Sequence, residues 1–118
     1  MNVDTATDAA PATPRPEDRA VAEALLARVR TVFDVQEAWW FGSRAEGRAG
    51  PDSDWDLLIV APSDLDKFAP MSVAMTATRD IKVLIDVFVL TPQEFAKDRD
   101  RFGRLAWSAT KHGVRLDR

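Results

Sequence analysis

Three aspartates and a glycine-serine pair are the residues of this chain that are best suited to a chemical function. From Gly42 onwards the chain reads G-S-R-A-E-G-R-A-G-P-D-S-D-W-D, so that Gly42 and Ser43 are followed by Asp54 and Asp56. A third acid, Asp86, interrupts a later run that is otherwise apolar. Acids of this kind bind divalent cations, and a glycine turn that opens a helix binds phosphate. The segment therefore predicts both functions within one short unit of the fold.

The spacing of the first two acids predicts that they act together. If a strand runs from Asp54 to Val60, the side chains of Asp54 and Asp56 project from one face, about 6.5 to 7 Å apart along the chain, and Trp55 points the other way. Asp86 lies in a β-branched and apolar stretch, where an ionised carboxylate is unfavourable unless it is paired, hydrogen-bonded or bound to metal. Three acids offer only oxygen ligands, which favours Mg²⁺ or Mn²⁺ over zinc.

The glycine-serine pair predicts a phosphate cradle. An apolar strand ends before Gly42, which allows a sharp turn, and Ser43 is predicted to cap a short helix from Arg44 to Gly47. The unpaired amides at that helix start and the Ser43 hydroxyl would hold the terminal phosphates of a nucleoside triphosphate. The guanidinium group of Arg44 suits phosphate oxygens, and a plain surface position for Arg44 stays open.

The joined pattern resembles a known family. G-S-x-A-x-G at Gly42, S-D-x-D-L from Ser53 to Leu57 and the isolated Asp86 are similar to the nucleotidyltransferase superfamily related to DNA polymerase beta. More narrowly, the chain resembles the minimal nucleotidyltransferases of prokaryotes, including the antitoxins paired with HEPN toxins. The resemblance covers Val35 to Leu90, about half of the chain.

This resemblance implies a role for each matching residue. Gly42 and Ser43 would bind the β and γ phosphates, with Arg44 beside them, and Asp54 and Asp56 would ligate metal. Asp86 would complete the site and help to deprotonate the acceptor hydroxyl. The implied enzyme is a Mg²⁺-dependent nucleotidyltransferase that transfers AMP from ATP to a hydroxyl of a HEPN-type partner protein and releases pyrophosphate, with two metals about 3.5 to 4 Å apart.

Other interpretations stay open at this point. The glycine-serine turn can be a plain helix cap, the first two acids can be solvent-facing strand positions, and Asp86 can pair with Arg79 or Lys82. For function, the alternatives are a catalytically silent binding module that neutralises a partner protein and a small-molecule nucleotidyltransferase of the aminoglycoside type. A homo-oligomer also stays open.

Length and composition frame these hypotheses. The chain has 118 residues. Residues 1–15 are rich in Ala, Thr, Pro and Asp and are predicted to be a disordered leader, and residues 16–118 are predicted to form one domain. The chain has no cysteine and no apolar run of about 18 residues, so we expect a cytoplasmic protein without a membrane span. The net charge of −3 does not favour nucleic acid as a partner.

Periodicity and end signals predict an α/β (α+β) fold, in which a small mixed β-sheet has helices packed on one face and the acids on the other. The predicted strands are Gln36 to Phe41, Asp54 to Val60, Lys82 to Leu90 and an edge strand from Val114 to Leu116. The predicted helices are Pro16 to Phe33, Met71 to Arg79, one that starts at Thr91-Pro92-Gln93-Glu94, and Phe102 to Gly113. A helix start at Ser63 with Asp66 is also predicted.

Overall fold

The computed structural model describes residues 13–64 and 69–117. Its helices are α1 (Pro16–Val29), α2 (Gly42–Ala45), α3 (Ala69–Ala77), α4 (Pro92–Asp98) and α5 (Leu105–His112), and its strands are β1 (Glu37–Phe41), β2 (Trp55–Val60), β3 (Ile85–Leu90) and β4 (Val114–Arg115). The predicted leader falls mostly on residues 1–12, and Asp66 of the predicted helix start is also outside the described residues. Both stay predictions.

The four strands form one mixed sheet in the order β3-β2-β1-β4. β1 runs antiparallel to both of its neighbours, and β2 runs parallel to β3. The parallel pair requires a crossover connection, which contains α3. The predicted mixed sheet and the predicted short last strand are therefore confirmed.

Apolar residues of β2 alternate between two clusters on opposite faces of the sheet. Leu57 and Ile59 belong to the larger cluster, which includes the buried side chains of α1 and Ala74 of α3. Leu58 and Val60 belong to a smaller cluster with buried residues of α4 and α5. A strand buried on both faces explains why β2 reads as a continuous apolar run after Asp56. The last two helices thus cover part of the face that also carries Asp56, so helices pack on both faces of the sheet, whereas the sequence predicted them on one.

Several element boundaries differ from the prediction for local reasons. The first helix ends at Val29, and residues 30–32 form a turn where a continuation to Phe33 was expected. The third strand begins at Ile85 because that residue lies opposite Trp55, where β2 itself begins. The prediction that Ser43 caps α2 is wrong: the helix begins at Gly42, Phe41 occupies the capping position, and no side chain caps it.

The start of α4 follows its prediction in detail. The Thr91 hydroxyl accepts a hydrogen bond from the Glu94 backbone N–H at 3.1 Å, and the Glu94 carboxylate accepts one from the Thr91 N–H at 2.8 Å. Pro92 occupies the first helical turn. These two hydrogen bonds satisfy backbone N–H groups that have no partner within the helix, and the sequence predicted this helix start.

None of the helices among residues 13–64 and 69–117 is long and apolar enough to cross a membrane.

Candidate active site

The fold brings Asp54, Asp56 and Asp86 together at the end of the sheet where β2 and β3 begin. Asp56 lies directly opposite Asp86 in the parallel register of the two strands, and Asp54 immediately precedes β2. One carboxylate oxygen of each residue can be chosen so that all three oxygens lie within 4.8 Å of one another. The predicted convergence of the three acids is confirmed.

Neighbouring charges affect the protonation of Asp56 and Asp86. Burial, followed by the charges of Asp86 and Asp54, raises the pKa of Asp56 to about 6. The pKa of Asp86 is also raised, first by its partial loss of hydration and then by the charge of Asp54 and a hydrogen bond with it. Acids that repel one another in this way are stabilised when a cation neutralises them.

This donor set fits a hard divalent cation. It consists only of carboxylate oxygens, it is close enough to share one ion, and Asp86 is exposed, so that an ion and its water ligands can reach it. Carboxylates with open coordination positions suit Mg²⁺ or Mn²⁺, whereas zinc sites in proteins are built mainly from nitrogen and sulfur ligands. When bound, such an ion would neutralise charge on phosphate oxygens.

Gly42 places the start of α2 directly against the acids. Its φ angle is +83°, a conformation that residues with a side chain rarely adopt. A β-carbon at this position would run into the Oδ2 atom of Asp56. The glycine is therefore required both by the backbone turn and by the approach of the Asp56 carboxylate. Ser43, the next residue, is half-buried at the same end of the helix.

Arg44 does not lie where the sequence analysis placed it. Its guanidinium group stacks on the ring of Trp55, 3.7 Å from the ring centre, and its Nη1 lies 3.2 Å from Asp18 Oδ1. Trp55 belongs to the large cluster on the face opposite Asp56. Arg44 is only 8% exposed, and protein acceptors take its nitrogens. This geometry contradicts the prediction that Arg44 binds phosphate.

Asp18 is a site residue that the sequence analysis did not single out. It is 5% exposed and lies in the first turn of α1. A signal was present, because Asp18 precedes Ala22, Leu25 and Val29 at spacings of four, seven and eleven residues, which place all of them on one buried stripe. An acid in register with a core stripe indicates a buried ionic partner.

Glu46 and Arg48, for which no role was predicted, form an ion pair with 3.0 Å between Arg48 Nη2 and Glu46 Oε1. Arg48 is mostly exposed, so this pair has little effect on stability. The only histidine, His112, packs edge-on against Trp107 at the end of α5.

Sequence comparison decides the family. A family model described as a nucleotidyltransferase domain matches residues 20–84, more than half of the chain. The chain belongs to the nucleotidyltransferase domain family. The match includes Gly42, Ser43, Asp54 and Asp56 and ends shortly before Asp86. None of the curated proteins compared with this nucleotidyltransferase matches it.

Solved structures share the fold of this nucleotidyltransferase. A toxin-antitoxin complex with AMP-PNP has a TM-score of 0.57 at 20% identity, over 79% of this chain and 70% of that chain. The toxin-antitoxin MntA-HepT has a TM-score of 0.55 at 17% identity, over 82% of this chain and 69% of that chain. A candidate nucleotidyltransferase from Sulfolobus solfataricus has a TM-score of 0.51 at 31% identity, over 80% and 84% of the two chains.

Proposed function

We propose that this nucleotidyltransferase transfers AMP from ATP to a hydroxyl group of a partner protein and releases pyrophosphate, with Mg²⁺ or Mn²⁺ held by Asp54, Asp56 and Asp86. The observation that carries the proposal is the convergence of the three carboxylates within 4.8 Å of one another, with the start of α2 against Asp56. A binding module without chemistry has no physical need for three acids that repel one another.

The reaction follows from this arrangement. The acceptor oxygen forms a bond to the α-phosphorus, the bond from that phosphorus to the oxygen bridging the α and β phosphates breaks, and pyrophosphate leaves with the electron pair. The hydroxyl proton passes to the Asp86 carboxylate, which is exposed and has a raised pKa. Gly42 and Ser43 hold the β and γ phosphates through the amide end of α2.

The nucleotide and the acceptor are proposed from two kinds of support. The similar complex solved with AMP-PNP supports an adenine nucleotide as substrate. The two similar toxin-antitoxin complexes support a partner protein as acceptor, and we propose a HEPN-type toxin. Within residues 69–117 the chain that follows β3 forms two helices and a two-residue strand, and both helices pack on the sheet.

The test is a transfer assay with ATP labelled at either the α or the γ phosphorus. The purified protein is incubated with Mg²⁺ and a HEPN-type protein encoded beside it. Label on the partner from α-labelled but not from γ-labelled ATP is the expected result, because nucleotidyl transfer keeps only the α-phosphorus. The Asp54→Asn and Asp56→Asn variants are expected to leave the partner unlabelled. Tight association of the two proteins without label, at any nucleotide tested, would support the silent binding module instead.

A further inference from the structure

The side chain of Arg44 connects three separate parts of the chain that build the acidic site. Its own position is in α2, two residues after Gly42. Its Nε donates to the Ser53 carbonyl at 3.0 Å, and its Nη2 donates to the Pro51 carbonyl at 3.2 Å. Its planar face covers the ring of Trp55, the first residue of β2. One guanidinium group thus joins α2, the loop that follows it and the start of β2.

These contacts lie immediately next to the metal-binding acids in sequence. Ser53 directly precedes Asp54, and Trp55 separates Asp54 from Asp56. Because side chains alternate along an extended chain, holding the Trp55 ring on one face places the two carboxylates on the other, and the bond to the Ser53 carbonyl holds the backbone just before Asp54. Arg44 therefore lies on the opposite side of residues 53–55 from the carboxylates, and it affects the site through the backbone of this segment.

The loop has few other attachments. Within residues 50–53, the Ser53 N–H bonds to the Gly50 carbonyl at 3.2 Å, and the Gly50 N–H bonds to the Ser53 hydroxyl at 3.0 Å. Both hydrogen bonds stay inside the loop. Among the hydrogen bonds of the described residues, those that tie this part of the loop to the rest of the domain come from Arg44.

Asp18 holds Arg44 in place. Its Oδ1 accepts from Arg44 Nη1 at 3.2 Å, and its backbone carbonyl accepts a hydrogen bond from Trp55 Nε1 at 3.0 Å. The second carboxylate oxygen is buried without a hydrogen bond, and Arg15 Nη1 lies 4.0 Å from it. A buried charge pair of this kind adds little net stability, but it imposes one geometry on the residues around it.

We propose that Arg44 is a positioning residue of the cation site: through Ser53, Pro51 and Trp55 it sets the placement of Asp54 and Asp56 relative to α2. The planar fork of a guanidinium group makes this possible, because it can donate to two carbonyls and a carboxylate while it stacks on an aromatic ring. A lysine would keep the charge but would lack the fork. The inference rests on the proposed function only in assuming that the acids bind a divalent cation.

The experiment measures Mn²⁺ binding by electron paramagnetic resonance, without nucleotide or acceptor. The Arg44→Lys variant is expected to keep its far-ultraviolet circular dichroism and to bind Mn²⁺ about 10 to 100 times more weakly, as is typical when a residue that orients metal ligands is changed. The spectrum of the bound ion is also expected to change, because its ligand geometry changes. Arg28→Lys is the matched control, since Arg28 forms a two-pronged ion pair with Asp80 that is solvent-exposed.

Three outcomes decide the inference. If folded Arg44→Lys binds Mn²⁺ within about twofold of the unchanged protein and gives the same spectrum, Arg44 is only structural and the proposal is wrong. If Arg44→Lys does not fold, Asp18→Asn takes its place, and unchanged Mn²⁺ binding by that variant overturns the proposal. If the unchanged protein itself does not bind Mn²⁺, the cation site of the proposed function fails, and the role of Arg44 fails with it.

Discussion

Gly42 and Asp56 lie in direct contact, such that a β-carbon on Gly42 would occupy the space of the Asp56 Oδ2 atom. The contact joins the two halves of the motif, the turn into α2 and the acidic pair. Because α2 begins at this glycine, the end of the helix that leaves amide groups without an intrahelical partner lies against the Asp56 carboxylate. A phosphate held by the amides would therefore lie beside the proposed cation.

The first prediction concerns this contact. Gly42→Ala is expected to lower stability by about 1 to 2 kcal/mol, because alanine is strained at a positive φ angle, and also to displace Asp56 and weaken Mn²⁺ binding at least about tenfold. Gly103→Ala is the matched control, because Gly103 has a φ angle of +85° but open space around it. Thermal unfolding and Mn²⁺ titration of both variants check this. Equal Mn²⁺ affinities in the two variants would contradict the importance of the contact.

The second prediction concerns repulsion among the acids. Asp56→Asn is expected to stabilise the metal-free protein at about pH 8 by about 1 kcal/mol, a value reduced for solvent screening, because it removes one of three like charges. At about pH 4 the gain should vanish, since the folded protein then keeps Asp56 protonated. Denaturant unfolding at both pH values measures it. Asp52→Asn, an exposed acid two residues before Asp54, controls for the change in net charge, and an equal gain there would refute the explanation.

The third prediction concerns the pH dependence of metal binding. The pKa of Asp56 is about 6, above the ordinary value of 3.8, so the folded state binds more protons than the unfolded state between these values. Without metal, the contribution of Asp56 to stability therefore decreases as the pH rises from about 4 to 6. Metal must displace the same proton, so Mn²⁺ affinity should increase through this range and level off above about pH 7. Titrations at several pH values measure it, and a flat profile would be inconsistent with a shared proton and cation site.

The fourth prediction concerns Asp117, which anchors the C-terminal strand. Its Oδ1 accepts hydrogen bonds from the Ala38 N–H at 3.1 Å and from Arg115 Nε at 2.9 Å, and Oδ2 accepts from Arg115 Nη2 at 3.1 Å. Asp117→Ala is expected to lower the free energy of unfolding by about 1 to 2 kcal/mol, because the Ala38 amide loses its partner. Asp100→Ala, an exposed acid, is the control.

The pH dependence of Asp117 has the opposite sign to that of Asp56. Burial raises the pKa of Asp117, but the hydrogen bonds from Arg115 and Ala38 outweigh it, and the net pKa is lowered. Its stabilising effect is therefore present above the ordinary carboxylate pKa and is lost as the pH falls through the lower value in the folded state. Unfolding of the unchanged protein and of Asp117→Ala at about pH 3 and about pH 7 tests this, and a larger difference at the lower pH would rule out the assigned sign.

Local spacing was sufficient for those features that depend on neighbouring residues. Alternation along an extended chain put Asp54 and Asp56 on one face and Trp55 on the other, and the Thr91 and Glu94 pair marked the start of α4. The position of Gly42 before the acids identified the turn. In each of these cases the residues that interact are close in sequence, so their geometry follows from backbone dihedral angles alone.

Features that join distant segments depended on the tertiary structure. The register that sets Asp86 opposite Asp56 comes from parallel pairing across a crossover, and sequence spacing carries no register for such a pair. The direction of Arg44 was predicted wrongly, because the rotation of α2 is set by packing against α1 and β2, where Asp18 and Trp55 offer a charged partner and an aromatic face. A local motif identifies residues that can bind a phosphate or a metal, but only long-range packing determines which of them are placed to do so.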